Sequence, residues 1–297
     1  MDGVLAINKP SGMTSHDVVE AVRRILREQR VGHTGTLDPL ATGLLVLCMG
    51  KATRIARYLE AGEKEYTATM SLGVITDTQD SEGRILETKS YTPPDRDAVT
   101  GMMKRFTGSI MQEPPAFSAV KVSGVPSYKL ARQGRAKPLA PRQVTIFSID
   151  LIEYDDPFIR FSVRCSKGVY IRTLCADIGN ALGTGAHLTS LVRTRSGRFR
   201  LDNAVTLERL SGLAAAGNVE SILVSVDEAL AEFPAVILDG AGAKKITHGN
   251  SVPWTGIQPE GHGVLVRIHD PAGRLLAVAK AAAGMIKPEV VFAERNE

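Results

Sequence analysis

Strand-like and helix-like segments follow one another along the first 200 residues without the strand–helix alternation of a parallel α/β fold. Gly3–Ile7 (GVLAI) is a short apolar run closed by Asn8-Lys9-Pro10-Ser11-Gly12, the pattern of a buried strand and a turn. Thr14 or Ser15 then caps an amphipathic helix to about Gln29, with Val18, Val22, Ile25 and Leu26 on its apolar face. Leu44–Met49 is a second apolar run, followed by a helix near 51–60 and an alternating strand over 65–72. Residues 76–83 (TDTQDSEG) form a polar turn, and a helix is expected near 95–106. Strands over 143–154 and 158–165 should fold back on each other around Asp155-Asp156-Pro157, ahead of a helix from Tyr170 to Leu182 and a strand over 187–194. This order predicts an α+β fold, a mixed and largely antiparallel sheet flanked by helices. Residues 201–233 are acidic and helical in pattern. A boundary at 232 divides the chain into domains 1–232 and 233–297. In the second, short strands (252–253, 261–268, 275–280) predict a small β-rich, barrel-like module.

The 297 residues are 43% apolar and 23% charged, enough to bury a core and to exclude disorder over most of the length. No apolar run approaches the roughly 18 residues of a membrane span, and no secretory signal opens the sequence. Three scattered cysteines (Cys48, Cys165, Cys175) suit neither a disulfide framework nor a zinc site, so a reducing cytoplasmic location is expected. The net charge of +4 conceals a segregation: residues 101–145 carry eight Lys and Arg against one acid, and 160–200 carry the same. Acidic stretches separate the two. Such a surface attracts a polyanion on one side, and the interleaved Tyr128, Tyr170, Phe117 and Phe199 make nucleic acid the leading one.

The least ordinary stretch is GHTGTLDPLATG, residues 32–43, a glycine-punctuated loop that holds one carboxylate, Asp38, stiffened by the proline behind it. The loop has no second carboxylate, which argues against paired-carboxylate glycoside chemistry, and no ligand-spaced cluster that would argue for a metal hydrolase. Asp38 therefore needs a cation from elsewhere. Arg172 is the candidate, because it falls in the first turn of a helix, where the macrodipole disfavours a cation that lacks an anionic partner.

Five segments, GHTGTLDPLATG, KEYTATMSLG (64–73), TDTQDSEG (76–83), SKGVYIRTL (166–174) and HLTSLVRTRSG (187–197), together resemble the bacterial TruB-type tRNA pseudouridine synthases. INKPSGMTSHD (7–17) looks like that family's first motif, and PAFSAVKVSGVPSYKLARQGRA (115–136) like its RNA-gripping insertion. The similarity runs in order over about residues 4–200; the tail 233–297 more weakly resembles a PUA-type RNA-binding module. Asn8 stands where Asp is common and Phe117 where Tyr is common.

The resemblance implies a pseudouridine synthase fold and isomerisation of the uridine at position 55 in the T arm of tRNA, by base flipping, C1′–N1 cleavage and C1′–C5 rejoining. It implies no cofactor and no metal. Asp38 is then the essential carboxylate, attacking C1′ or removing a proton from C2′, with Arg172 its partner. Tyr66 is the aromatic residue on the flipped base, Leu191 the apolar pocket wall, and His33 the group filling the gap left by the extruded base. Tyr170 and Lys9 are expected at the substrate. Lys121, Arg132 and Arg142, with Lys129, Arg135 and Lys137, are expected to meet phosphates from a thumb over residues 112–142. A monomer with no membrane association is expected. The rivals are a non-catalytic tRNA-folding chaperone and a related synthase acting on ribosomal RNA.

Overall fold

The two N-terminal apolar runs become neighbouring strands buried on both faces. In the computed structural model, which describes residues 1–135, 137–254 and 263–292, β1 (Gly3–Lys9) is followed by α1 (Ser15–Leu26), β2 (Val31–His33) and β3 (Thr42–Met49). β1 and β2 both pair antiparallel with β3. One face of this ribbon, with Leu5, Ile7, Leu45 and Leu47, packs on Val18, Val19 and Val22 of α1. The other, with Val4, Leu44, Val46 and Cys48, packs on Ile55, Leu230 and two valines of the C-terminal sheet, Val278 and Val290. Burial on both faces is why these runs are continuously apolar rather than alternating. A capping box between Thr14 and Asp17 starts α1. The helix stops short of the expected Gln29 because Arg27 turns left-handed and its N–H closes on the Arg23 carbonyl.

A 3₁₀ turn over Gly50–Ile55 and α2 (Ala56–Glu60) lead to β4 (Lys64–Leu72), the small hairpin of β5 (Val74–Thr76) and β6 (Ile85–Thr88), then α3 (Arg96–Lys104). Next come β7 (Gly108–Gln112), the short hairpin of β8 (Lys121–Val122) and β9 (Val125–Pro126), and α4 (Ser127–Arg132). The expected antiparallel pair is β10 (Arg142–Asp155) with β11 (Phe158–Cys165), and α5 (Ile171–Ala181) follows. β12 (Ala186–Ser196) and β13 (Phe199–Arg200) complete a nine-stranded sheet of order β1-β3-β12-β4-β11-β10-β7, with β2 on β3 and β13 on β12. Its described pairings are antiparallel except β3 with β12, which run parallel where Thr42 faces Val192 and Gly43 faces Arg193. The sheet is thus mixed and largely antiparallel, as the sequence predicts. Tyr66, Ala68 and Met70 of β4 share a core with Phe161, Val163 and Leu191, covered by Val99 and Met103 of α3 and by Leu174 and Ile178 of α5.

The acidic stretch after the sheet is broken into short helices rather than one: 3₁₀ turns at Leu201–Asn203 and Val219–Ile222, α6 (Leu207–Ala215) and α7 (Val226–Ala229). Thr206 and Ser225 cap α6 and α7. A second sheet then forms from β14 (Ala235–Ile237), β15 (Val252–Pro253), β16 (Val264–His269), β17 (Leu275–Ala282) and β18 (Met285–Val291), in the order β14-β16-β17-β18-β15. Of the strand expected over 261–268, residues 261 and 262 lie outside the described residues. α8 (Gly240–Thr247), which the sequence reasoning missed, buries Ile246 against this sheet. Asp227 of α7 joins the two parts by accepting hydrogen bonds from Arg267 (2.7 Å) and, at 2.9 Å, facing Nε2 of His269.

Candidate active site

The loop between β2 and β3 is pinned on both sides of Asp38. Leu37 exchanges hydrogen bonds with Ser15 at the start of α1: its N–H donates to Oγ (2.7 Å), and Oγ donates to its carbonyl (3.1 Å). Beyond Asp38, the Gly12 N–H donates to the Pro39 carbonyl (2.9 Å) and the Ala41 N–H to that of Asp38 (3.1 Å). Leu37 and Ala41 are buried, so the flanks of the loop are part of the core while the Asp38 side chain keeps 38% exposure at the rim. Lys9, expected from the sequence to touch the substrate, is fully buried instead. Its ammonium donates to the carbonyls of Pro10 (2.8 Å), Met13 (2.5 Å) and Pro39 (3.3 Å). All three hydrogens are spent on the main chain, which makes Lys9 a clamp between two loops rather than a phosphate contact. Burial pulls its pKa down to about 8, with Asp38 and Glu82 opposing.

Arg172 lies in the first turn of α5 and is only 4% exposed. Its Nε is 2.9 Å from Oδ2 of Asp38. The N–H is not aligned on that oxygen, so the contact is a close ion pair rather than a directed hydrogen bond. Nη1 donates to the Thr78 carbonyl (2.9 Å) and lies 3.6 Å from Oδ2 of Asp80, and Nη2 donates to the Phe117 carbonyl (2.9 Å). One guanidinium therefore joins the Asp38 loop, the polar turn 76–83 and the start of the thumb. Asp80 is itself buried, accepting from the Thr78 hydroxyl and the Glu82 N–H. The two carboxylates supply the anionic partners that a cation at a helix N-terminus requires. Tyr170 is the N-cap of α5, and its main chain is gripped at both ends by the buried Gln112 amide: the N–H donates to Oε1 (2.8 Å), and Nε2 donates to the carbonyl (3.1 Å).

An apolar wall stands beside this ion pair. Tyr66 and Leu191 are buried in one cluster with Leu37, Ala41 and Ile171, against which Leu40 and Val169 also pack. Strand register places Tyr66 opposite Arg193 and Leu191 opposite Ala68. Burial pushes the Tyr66 phenol above its ordinary pKa of 10.0, with the Arg193 charge pulling the other way. Its hydroxyl is protonated at neutral pH.

His33 ends β2, half-buried, and its Nδ1 accepts from the Gly35 N–H at 3.3 Å. Burial, then Arg193, lower its pKa below 6.5, so the imidazole is neutral at pH 7. The thumb cations Lys121, Lys129, Arg132, Arg135, Lys137 and Arg142 are all exposed, and the Arg132 guanidinium lies 5.6 Å over the Tyr128 ring. Sequence reasoning missed two buried polar residues, Gln112 and Arg193. Arg193 falls on the inward face of an otherwise apolar alternation in HLTSLVRT, and that was the available signal.

Residues 23–171 match the model of the TruB family pseudouridylate synthase N-terminal domain. The chain belongs to the TruB family. Residues 172–231 match the tRNA pseudouridylate synthase B C-terminal domain, and 234–292 the C-terminal domain of pseudouridine synthase II TruB. This TruB chain is 46% identical over 291 residues to tRNA pseudouridine synthase B of Burkholderia lata, covering 97% of this chain and 89% of that one. Against the enzyme of the same name from Geobacter sulfurreducens it is 46% identical over 249 residues, with 84% and 82% covered. Among solved structures it resembles a Cbf5–Nop10–Gar1 complex at 30% identity and a TM-score of 0.79, with 99% of this chain and 85% of that chain covered. An H/ACA ribonucleoprotein bound to a substrate RNA containing 2′-deoxyuridine follows at 28% identity and 0.77, with 99% and 86% covered. The TruB chain is a pseudouridine synthase, an isomerase acting on tRNA.

Proposed function

We propose that the enzyme isomerises the uridine at position 55 of tRNA, in the T arm, with Asp38 as the acting carboxylate. The target nucleotide leaves its stack, at a cost of a few kcal/mol, and its base lies against Tyr66 and Leu191, while His33 takes the space left behind. Arg172 orients the Asp38 oxygens toward the sugar, where they attack C1′ or take a proton from C2′. The C1′–N1 bond breaks, the uracil turns, C1′ bonds to C5, and the C5 proton is lost to solvent as N1 gains one. Product and substrate are isomers, so no group enters or leaves. Exposed thumb cations would meet phosphates, and neutralising about six of them gives a log–log salt slope near −4 to −5.

The observation that carries this reading is the Asp38–Arg172 ion pair, 2.9 Å long, at the rim of a buried wall holding Tyr66 and Leu191. Residues 1–232 would be the catalytic domain, including the thumb over 112–142, and 233–297 an RNA-binding module, the whole acting as a cytoplasmic monomer.

Tritium release from 5-tritiated uridine in tRNA transcripts, with the product mapped by position, tests the proposal. Release confined to position 55, lost in Asp38→Ala while tRNA binding persists, supports it. Release at another position, or from ribosomal RNA alone, assigns a different substrate, and no release from wild type favours a folding chaperone.

A further inference from the structure

Arg193 of β12 is 3% exposed, and its guanidinium donates to three carbonyls, Nε to Leu44 (2.7 Å), Nη1 to Thr36 (3.4 Å) and Nη2 to Gly35 (3.2 Å), besides a side-chain hydrogen bond to the Tyr66 phenol. No ion pair joins it to a carboxylate among the described residues. A buried cation without a counter-charge is costly, and a methionine would fill an ordinary core position without that cost. The location of the three carbonyls explains the cation. Gly35 and Thr36 lie just before Asp38, and Leu44 lies at the head of β3, just after the loop closes. The guanidinium thus spans both ends of the segment that presents Asp38.

The same residue sits at the parallel junction of the sheet. Its main chain faces Gly43 of β3, which has φ +92°, and a Cβ there would lie 2.5 Å from the Arg193 carbonyl oxygen. Only glycine allows the two chains to approach this closely. On its other side Arg193 faces Tyr66 of β4, and two positions earlier on its own strand stands Leu191. β12 therefore carries the apolar wall and, through one side chain, the anchor of the loop opposite. Its charge also reaches the groups around the cleft, opposing the effect of burial on Tyr66 and reinforcing it on His33.

We infer that Arg193 is a positioning residue for the isomerisation: its guanidinium ties the Asp38 loop to β12 and so sets the distance between the acting carboxylate and the wall on which the base rests. The inference rests on the reading of Asp38 as that carboxylate. Arg193→Lys keeps the charge but has neither the reach nor the planar fork to hold three carbonyls at once. A loop displaced by about 1 Å costs on the order of 10²-fold in rate.

The test compares wild type, Arg193→Lys and Asp38→Asn in single-turnover tritium release, tRNA binding, and hydrogen exchange over residues 34–41. Expected for Arg193→Lys is a fall in kcat of about 10- to 100-fold with tRNA affinity within about twofold, and faster exchange confined to the loop. Wild-type turnover in Arg193→Lys, or affinity falling in parallel with turnover, overturns the inference. Should Arg193→Lys fail to fold, Arg193→Met replaces it, an unbranched side chain with no buried charge, and the same fall in turnover with retained affinity is expected. Failure of both to fold makes the residue plain core and also overturns it. Full turnover in Asp38→Asn removes instead the reading on which the inference rests, whatever Arg193→Lys does.

Discussion

Arg172 meets Asp38 through Nε at 2.9 Å, while its terminal nitrogens are committed to the carbonyls of Thr78 and Phe117. The guanidinium is therefore oriented by the main chain before any substrate arrives, and Asp38 is oriented by the guanidinium. Lysine at this position keeps a positive charge but loses the fork that reaches Asp38 and two carbonyls together. Arg172→Lys should lower single-turnover kcat by about 10²-fold or more and change tRNA affinity by less than about threefold. Filter binding alongside tritium release separates the two quantities, and equal kcat values would sink the expectation.

Tyr66 offers a ring and a hydroxyl, and its burial keeps that hydroxyl protonated at neutral pH. Tyr66→Phe keeps the ring and the packing of the wall. If the hydroxyl handles the C5 proton, the variant binds tRNA normally and forms product about 10² to 10⁴ times more slowly. Rates equal to wild type would leave Tyr66 a packing residue.

Elements whose causes lie within a few residues were legible in the sequence. The Thr14 capping box starts α1 where it was expected, and the turn around Asp156 joins β10 to β11 in the anticipated antiparallel pair. The meeting of Asp38 with Arg172 was legible only because each residue was odd in its own setting, a lone loop carboxylate and a cation at a helix start. Arg193 could not be placed, because its carbonyl partners lie 149 to 158 positions away in sequence and carbonyls have no residue identity. The burial of Lys9 is hidden in the sequence for the same reason. A lysine in a turn looks exposed until the Pro39 carbonyl, 30 positions on, is seen to cover it.

That burial gives Lys9 two measurable signatures. It makes no phosphate contact, so Lys9→Met should leave the salt slope of tRNA binding unchanged, whereas Arg132→Ala on the exposed thumb should flatten it by about 0.7 to 0.9. The second signature is in stability. The folded ammonium titrates near about 8 against an ordinary 10.5, so between those values the unfolded chain holds the extra proton. Stability consequently rises through that window by up to on the order of 3 kcal/mol from this one group, and the penalty is fully present below it. Lys64, also near about 8, contributes in the same sense. Urea unfolding of Lys9→Met from pH 8 to 10.5 should show a shallower rise than wild type, and an unchanged slope would contradict the assignment.

Gln112 ends β7 where the chain departs into the thumb, and its amide holds both the N–H and the carbonyl of Tyr170, one residue before α5 begins. Arg172 sits two residues further on, so the direction in which the guanidinium leaves the helix depends on how that first turn is held. Gln112→Leu fills nearly the same volume but leaves the part-buried Tyr170 N–H without its acceptor, at about 1 kcal/mol. Gln112→Glu retains an acceptor for the N–H but sets a carboxylate oxygen against the Tyr170 carbonyl, so it should be no milder. Both variants should melt at lower temperature and turn over more slowly, with tRNA affinity retained because the thumb cations are untouched. Calorimetry and single-turnover release on the same preparations decide the matter: a stability loss with kcat intact would show that the Gln112 clamp serves the fold and not the orientation of Arg172.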